Sequence, residues 1–178
     1  MEPRKKEPIG IIRVWSRDIL IAGIIVIILT TFCVQSLRVV GGSMAPTLLN
    51  GQIVIINKTA YKFREPKQGD IIGFYTENVQ EKVVKRIVGM PGDMIDYKDG
   101  TLYINQVPLE YMADEKVRPR GDIDYPYKVP MNAYFVVGDN INSSIDSRYE
   151  RMGCISKDNI IGEISLRVWP IWIKPLLE

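Results

Sequence analysis

Near its N-terminus the chain has one long stretch without a charged residue. Residues 19–34 read ILIAGIIVIILTTFCV, and the uncharged stretch continues to Leu37. As a helix rising about 1.5 Å per residue, residues 19–37 would span roughly 28 Å, close to the thickness of a hydrocarbon core. A cleaved signal peptide has a shorter apolar region of roughly 7 to 15 residues, and the helix of a small soluble domain has a polar face. The pattern therefore predicts a retained transmembrane helix over residues 19–37.

The segment before this stretch is basic. It contains Arg4, Lys5, Lys6, Arg13 and Arg17, with Trp15 near the predicted membrane boundary. Basic flanks of transmembrane helices stay on the cytoplasmic side. We therefore expect a single-pass protein of the cell membrane, with residues 1–18 in the cytoplasm and a catalytic or binding domain of residues 38–178 outside it.

Beyond the apolar stretch, the pattern changes to short segments rich in β-branched and aromatic residues. These segments are QIVIINK, DIIGFY, KVVKRIVG, TLYINQVPL, AYFVVGD and EISLRVW. Turn residues separate them, and Asp99-Gly100 predicts a hairpin. The pattern predicts one all-β domain of mostly antiparallel sheets, with a short helix near residues 44–49 or 157–160.

Two remaining segments are polar or aromatic. Residues 113–128 contain several charges and prolines and are predicted to form a loop or flap. The C-terminal RVWPIWIKPLLE carries two tryptophans, and two interpretations stay open for it. It forms either a core strand with a packed tail or an aromatic belt at the membrane interface.

The amino-acid composition limits the partners, metal ligands and catalytic residues that this chain can use. The net charge of +2 gives no reason to expect nucleic acid as a partner, and the absence of histidine excludes Ser-His and Cys-His sites as well as the commonest zinc ligand. We expect no metal and no cofactor. Cys33 lies in the apolar stretch, so a disulfide with Cys154 is not expected. A nucleophile and base would have to come from Ser, Thr, Lys, Asp, Glu or Tyr.

Two motifs could supply such a pair. GGSMAPTL, residues 41–48, places Ser43 in a glycine-rich turn that a simple linker would not explain. In VVKRIV, residues 83–88, Lys85 shares a strand face with Val83 and Ile87. Burial there would lower the pKa of the amine and make it a base. The competing interpretation of Lys85 is an ordinary surface lysine.

The third motif is GDNINSSIDSR, residues 138–148. It does not fit a calcium loop, because Ile141 stands at the third ligand position and Ser144 replaces the glycine at the sixth. A polar turn is one interpretation, since Gly, Asp, Asn and Ser dominate turns. The other is a loop that holds partners of a catalytic site.

Together and in this order, these motifs resemble the bacterial type I signal peptidases, which are membrane-bound serine proteases with a Ser-Lys dyad. The likeness covers most of the chain: an N-terminal anchor, GGSMAPTL, GDIIGF, KRIVGMPGD and GDNINSSIDSR. It implies an all-β fold of coiled, mostly antiparallel sheets, like that of the compact family members. It also implies a membrane-anchored endopeptidase that removes signal peptides from exported preproteins.

The resemblance assigns roles to individual residues. Ser43 matches the nucleophile and Lys85 the general base, while Ser144 matches a serine whose hydroxyl orients the lysine amine. Two charged pairs match structural supports of the site: Asp146 with Arg148, and Asp139 with Arg86. A Ser-Lys pair also agrees with the absence of histidine.

The match departs from the family at one position. Many members carry Ser or Thr two residues before the nucleophile, where its hydroxyl helps to form the oxyanion hole, and this chain has Gly41. The Ser43 backbone N–H can donate, which leaves the second donor open between a backbone amide and a water. The resemblance further implies two shallow pockets for small substrate side chains, with Val39, Met44, Leu48 and Val84 at the positions that line them.

The implied partners are signal peptides of secretory preproteins, which the family binds as an added β-strand, the lipid bilayer, and a nearby export translocon. Two other functions compete. A soluble, self-cleaving Ser-Lys repressor is opposed by the apolar helix and by the lack of a DNA-binding segment. An anchored binding module without activity is opposed by the joint presence of Ser43, Lys85 and Ser144.

Overall fold

The structure, a computed structural model, describes residues 8–76, 79–109 and 119–169. A long N-terminal helix, α1 (Pro8–Phe32), is followed by the β-strands. Within the described ranges the strands are β1 (Val34–Arg38), β2 (Ile53–Asn57), β3 (Ile71–Thr76), β4 (Val79–Gly89), β5 (Met94–Lys98), β6 (Thr101–Ile104), β7 (Val107–Pro108), β8 (Tyr127–Lys128), β9 (Ala133–Val137), β10 (Ile155–Ser156) and β11 (Ile160–Trp169). A short helix, α2 (Ala60–Phe63), and two 3-10 helices, Ile141–Ser143 and Lys157–Asn159, complete the architecture.

The N-terminal helix has the length and composition of a membrane-spanning helix. Its segment Val14–Phe32 is long and apolar enough to cross a membrane, and none of it is buried against the rest of the protein. The predicted boundary at Leu37 is corrected, because the helix ends at Phe32 and Val34–Arg38 forms β1. The backbone of β1 pairs with β2 from Val34 opposite Asn57 to Arg38 opposite Ile53. Lys58 closes the helix end by donating from its backbone N to Cys33 O and from Nζ to Thr31 O, both at 2.9 Å.

The strands form two sheets, and the predicted mostly antiparallel all-β domain is confirmed. The larger sheet has the order β1-β2-β11-β3-β4-β9-β10, and the smaller has the order β7-β6-β5-β8. Each pairing in the described ranges is antiparallel. The predicted hairpin is also confirmed: Lys98 pairs with Thr101, and Asp99 and Gly100 have φ values of 49° and 78°. Positive φ at both central residues is what a two-residue hairpin turn requires.

Alternation along the central strands divides the core into clusters. In β9 every residue is buried: Phe135 and Val137 face the cluster beside the small sheet, and Tyr134 and Val136 face the opposite side. A third cluster packs the segment after β1 onto β2 and β4, and Met44, Leu48 and Val84 belong to it. The nucleophile segment is therefore fastened to the large sheet through its own apolar residues.

The remaining predictions have mixed outcomes. Residues 44–49 form turns and not a helix, whereas residues 157–159 form a 3-10 helix. In the predicted loop 113–128, residues 119–126 lie outside strands and 127–128 form β8, while 113–118 lie outside the described residues. The C-terminal segment is a strand up to Trp169, and its two interpretations remain untested because residues 170–178 lie outside the described part.

Candidate active site

The nucleophile candidate Ser43 lies in a series of turns between β1 and β2. Two apolar side chains of this turn region, Met44 and Leu48, anchor it in the core, since both are almost completely buried. Leu48 N donates to Met44 O at 2.8 Å. From the other side, Asn140 N donates to Ser43 O at 2.9 Å, which ties the turn to the loop after β9. Ser43 is thus held by two separate parts of the chain.

Lys85 on β4 reaches this serine directly. Its Nζ lies 2.6 Å from Ser43 Oγ. The strand register sets this position, because Lys85 pairs with Ile72 of β3 and is the last residue of β4 before pairing with β9 begins at Arg86. Alternation along β4 then turns Arg86 away from the dyad.

The predicted desolvation of Lys85 is confirmed. The residue is only 3% exposed, and burial lowers the pKa of its amine from 10.5 to about 8. Asp146 and Asp139 raise this pKa and Arg148 lowers it, so these charges partly cancel around the amine. Among the described residues, no carboxylate lies within ion-pair distance of Lys85. A lysine with this pKa is neutral in about one-tenth of molecules at pH 7, far more often than an ordinary lysine, and the neutral amine can accept a proton.

The pair Arg86–Asp139 links β4 to the loop after β9. Arg86 Nε and Nη2 donate to the two carboxylate oxygens of Asp139 at 2.8 and 2.6 Å. The guanidinium also donates to Gly69 O at 2.9 Å. A bidentate pair of this kind fixes orientation as well as distance. It holds Asn140, and through it Ser43, against β4.

The pair Asp146–Arg148 lies deeper. Both side chains are 0% exposed, and Arg148 Nε and Nη2 donate to the Asp146 carboxylate at 2.8 and 2.9 Å. The guanidinium also donates to Pro119 O at 2.7 Å and to Ile141 O at 2.8 Å. The second Asp146 oxygen accepts from Gly138 N at 3.1 Å. This network is a satisfied buried ion pair that organises residues 138–148 around one cation.

Ser144 lies close to Ser43, but its side chain makes no hydrogen bond to Ser43 or to Lys85. Its side chain is 4% exposed, and its Oγ has no hydrogen-bond partner among the described residues. A Cβ on Gly138 would fall 2.3 Å from Ser144 Oγ and 2.4 Å from Ser43 O. Glycine at 138 is therefore required for the loop to come this close to the nucleophile, and its role was not inferred from the sequence.

Two cavities open at the dyad. A groove of about 180 Å³ is lined by residues 37–40, residues 81–84, Ser43 and Met44. A larger cavity of about 440 Å³ is lined by Ser43 and Lys85 together with Val40, Val83, Ile145, Met152 and their neighbours. Three of the predicted pocket residues, Val39, Met44 and Val84, line the first groove. Leu48 lines neither, because it is fully buried in the core cluster beneath them.

Gly41, the departure from the family pattern, adopts φ +82°. Its amide N–H is engaged, since it donates to Asn50 Oδ1 at 3.1 Å. Asn50 was not among the predicted site residues. No local pattern could have identified it, because the contact depends on how the turns between β1 and β2 close.

A serine hydroxyl hydrogen-bonded to a buried lysine amine that has no carboxylate partner in the described ranges is typical of hydrolases that activate serine without histidine. The comparisons with known proteins agree with this class. The family described as signal peptidase, peptidase S26, matches residues 12–169. Signal peptidase I T of Bacillus subtilis is 37% identical over 165 residues, covering 88% of this chain and 84% of that protein. Signal peptidase IB of Staphylococcus aureus is 34% identical over 172 residues, covering 88% of each.

A crystal structure of a signal peptidase I from Enterococcus faecalis is 32% identical and covers 57% of this chain and 98% of that chain, with a TM-score of 0.47. From the family match and the identity to its relatives, the chain belongs to the signal peptidase family, peptidase S26. It is accordingly a serine peptidase, anchored by its N-terminal helix.

Proposed function

We propose that this protein removes signal peptides from exported preproteins, with Ser43 as the nucleophile and Lys85 as the general base. The observation that carries the proposal is the distance of 2.6 Å between Lys85 Nζ and Ser43 Oγ. It is supported by burial of the amine, which lowers its pKa to about 8. The curated relatives are named signal peptidases.

The reaction begins when the neutral amine of Lys85 takes the proton of Ser43 while Oγ attacks the scissile carbonyl carbon. The tetrahedral intermediate collapses, and the ammonium of Lys85 gives its proton to the leaving amine of the mature protein. Water then attacks the acyl-enzyme with Lys85 again acting as base, which releases the signal peptide and regenerates the Ser43 hydroxyl. The Ser43 backbone N–H donates to the oxyanion.

The other predicted site residues act through the dyad. Ser144 is proposed to orient the Lys85 amine once substrate excludes water, which gives a use to a buried hydroxyl without a described partner. The pairs Arg86–Asp139 and Asp146–Arg148 hold the loop of residues 138–148. They are structural supports and do not touch the substrate.

The substrate is proposed to bind as an extended strand between β1 and β4. β1 is the edge strand of its sheet, and β4 pairs with β9 only from Arg86 onward. Residues 37–40 and 81–84 line the same groove, and among the described strands neither β1 nor residues 81–84 of β4 have a partner on the edge that faces it. Small residues such as Ala at the first and third positions before the cut would suit shallow pockets lined by Val39, Met44 and Val84.

The proposed topology follows from the basic N-terminal segment. Residues 1–18 lie in the cytoplasm and the β domain outside, where the lipid surface and the export translocon present the substrate. Protease added to intact cells or right-side-out vesicles should reach residues after Arg38 and spare residues 1–15. Digestion of the N-terminus in sealed cells would contradict this orientation.

Activity is tested by incubating the detergent-solubilised protein with several labelled preproteins and identifying the products by mass spectrometry. We expect cleavage after a small residue by the wild type and none by Ser43→Ala. A correctly folded wild type that leaves every preprotein intact would overturn the proposal. Replacing the residue before the cut by Leu or Phe should lower kcat/KM sharply, because a shallow pocket cannot accept the added volume.

A further inference from the structure

Two glycines stand before the nucleophile at the start of the nucleophile loop, which we define as residues 41–50. Gly41 has φ +82°, and an added Cβ on either Gly41 or Gly42 would meet no heavy atom within 4 Å. The space on the Cβ side of both glycines is therefore open. Glycine also has the widest choice of backbone conformations, so this pair needs polar restraints to keep one geometry.

One side chain supplies a restraint at the start of the loop. Asn50 Oδ1 accepts a hydrogen bond from Gly41 N at 3.1 Å, which joins the first residue of the loop to the last. Next to this contact the backbone continues the β1–β2 pairing, with Gly51 N donating to Val39 O at 2.9 Å. Asn50 thus extends a rigid hairpin by one contact, up to two residues before Ser43.

This contact also bears on which amides can hold the oxyanion. The Gly41 N–H already donates to Asn50 and is not free to bind substrate. The backbone N–H groups of Gly42 and Ser43 have no acceptor among the described residues. Gly42 O, which belongs to the same peptide unit as the Ser43 N–H, accepts from Ala45 N at 3.1 Å. The peptide that carries the Gly42 N–H lies between this contact and the restrained Gly41 N, so the directions of the two amides depend on both restraints.

From this arrangement we infer that Asn50 is a positioning residue for catalysis: it holds Gly41 so that the amides of Gly42 and Ser43 point at the developing oxyanion. The inference rests on the proposed function of Ser43. Residue 41 is a glycine and has no hydroxyl that could help to form the oxyanion hole. The side-chain carbonyl of Asn50 contributes instead, by orienting the backbone amides that do. Oxyanion stabilisation depends on donors that are already oriented before reaction, and small misplacements are expensive.

The test compares full-length Asn50→Ala, Asn50→Leu and Asn50→Asp with the wild type on one preprotein. Without an acceptor, Asn50→Ala and Asn50→Leu should lower kcat about 10- to 100-fold with little change in KM. Asn50→Asp keeps an oxygen that accepts from Gly41 N and should stay within about threefold of the wild type. Leu49→Ala, an exposed neighbour in the same loop, is the matched control and should leave kcat unchanged.

A second readout separates positioning from general loosening of the loop. A signal-peptide fragment ending in an aldehyde adds the Ser43 O–H across its carbonyl, and the resulting hemiacetal oxygen occupies the oxyanion site. The same peptide with a methylene in place of the scissile carbonyl makes no such contact. In Asn50→Ala the affinity for the aldehyde should fall in parallel with kcat, whereas the affinity for the methylene peptide should not change.

The inference is overturned if kcat of Asn50→Ala and Asn50→Leu equals that of the wild type, or if both peptides lose affinity equally. It is also overturned if Asn50→Asp is as impaired as Asn50→Leu. The proposed function fails separately, when the wild type does not cleave or Ser43→Ala still does. The pH midpoint of kcat/KM should be the same in wild type and Asn50→Ala, since Asn50 does not contact Lys85.

Discussion

Two cations are buried in the same domain, and they have opposite environments. Arg148 is 0% exposed and is surrounded by acceptors, with both Asp146 oxygens and the carbonyls of Pro119 and Ile141 in contact. Lys85 is 3% exposed, and its amine lies 2.6 Å from the neutral Ser43 hydroxyl. A buried charge that is fully paired stays charged and stabilises a loop, whereas one without a carboxylate partner is driven toward its neutral form. The first environment supports a fold and the second creates a base.

The largest expected effect on activity comes from replacing either member of the dyad, Ser43 or Lys85. Ser43→Ala, Lys85→Ala, Lys85→His and Lys85→Arg should each lower kcat/KM by about 10⁴-fold or more, without unfolding the domain. The Ser43→Ala/Lys85→Ala double variant should be little worse than either single variant, because the two residues act as one unit. Arginine is the decisive substitution, since a guanidinium stays protonated and cannot act as a base. Substantial activity in Lys85→Arg would refute the neutral-lysine mechanism.

Replacing Arg148, the paired cation, should lower the stability of the domain. Arg148→Leu leaves the Asp146 carboxylate buried without its partner, so the free energy of unfolding should fall by about 3 to 5 kcal/mol. Replacing both residues by apolar ones of similar size should be less damaging than either single change, since no charge then remains buried alone. Thermal denaturation of the detergent-solubilised variants measures this. Single variants with unchanged Tm would show that the pair is not a support.

Removing the buried amine of Lys85, which has no carboxylate partner among the described residues, should instead stabilise the domain. Because burial depresses the folded-state pKa of Lys85 from 10.5 to about 8, the unfolded chain binds more protons between these pH values. The contribution of Lys85 is therefore destabilising below pH 8 and disappears as pH rises to about 10.5. Lys85→Met should raise the free energy of unfolding at pH 7 by on the order of 3 kcal/mol, with the gain fading at pH 10. A gain that does not vary with pH would point to packing alone.

Two serines in the same loop sharpen the comparison on a smaller scale. Ser144 Oγ has no partner in the described part of the chain, whereas Ser147 Oγ accepts from Val136 N at 2.9 Å and donates to Gly153 O at 2.7 Å. Ser144→Ala should lower kcat about tenfold or more with Tm kept or raised, because it removes an unsatisfied buried hydroxyl. Ser147→Ala should lower Tm and keep kcat per folded molecule. Identical behaviour of the two variants would remove the catalytic role of Ser144.

Much of this fold could be predicted because the strands carry their own pattern. The segments that became β2, β3, β4, β9 and β11 are rich in β-branched and aromatic residues, and the Asp99-Gly100 turn indicated the hairpin. The end of α1 could not be predicted in this way. Residues 33–37 continue the uncharged stretch, and what makes them a strand is pairing with β2, a partner further along the chain.

The site was predictable only as far as its chemistry and its resemblance to a family allowed. Without histidine, Ser43 and Lys85 were the natural pair, although 42 positions separate them along the chain. The contacts that orient them were not readable. Gly138 matters because a Cβ there would collide with Ser43 O, and Asn50 matters through one hydrogen bond to Gly41. Both depend on the distance between segments that only the folded chain brings together.

The most direct test of the central claim is the pH dependence of kcat/KM for the wild type on a single preprotein. If neutral Lys85 is the base, kcat/KM should increase about tenfold per pH unit at low pH and level off above about pH 8, where the amine is mostly deprotonated. A rising limb near the ordinary lysine value of about 10.5, or a profile flat from pH 6 to 9, would contradict the account.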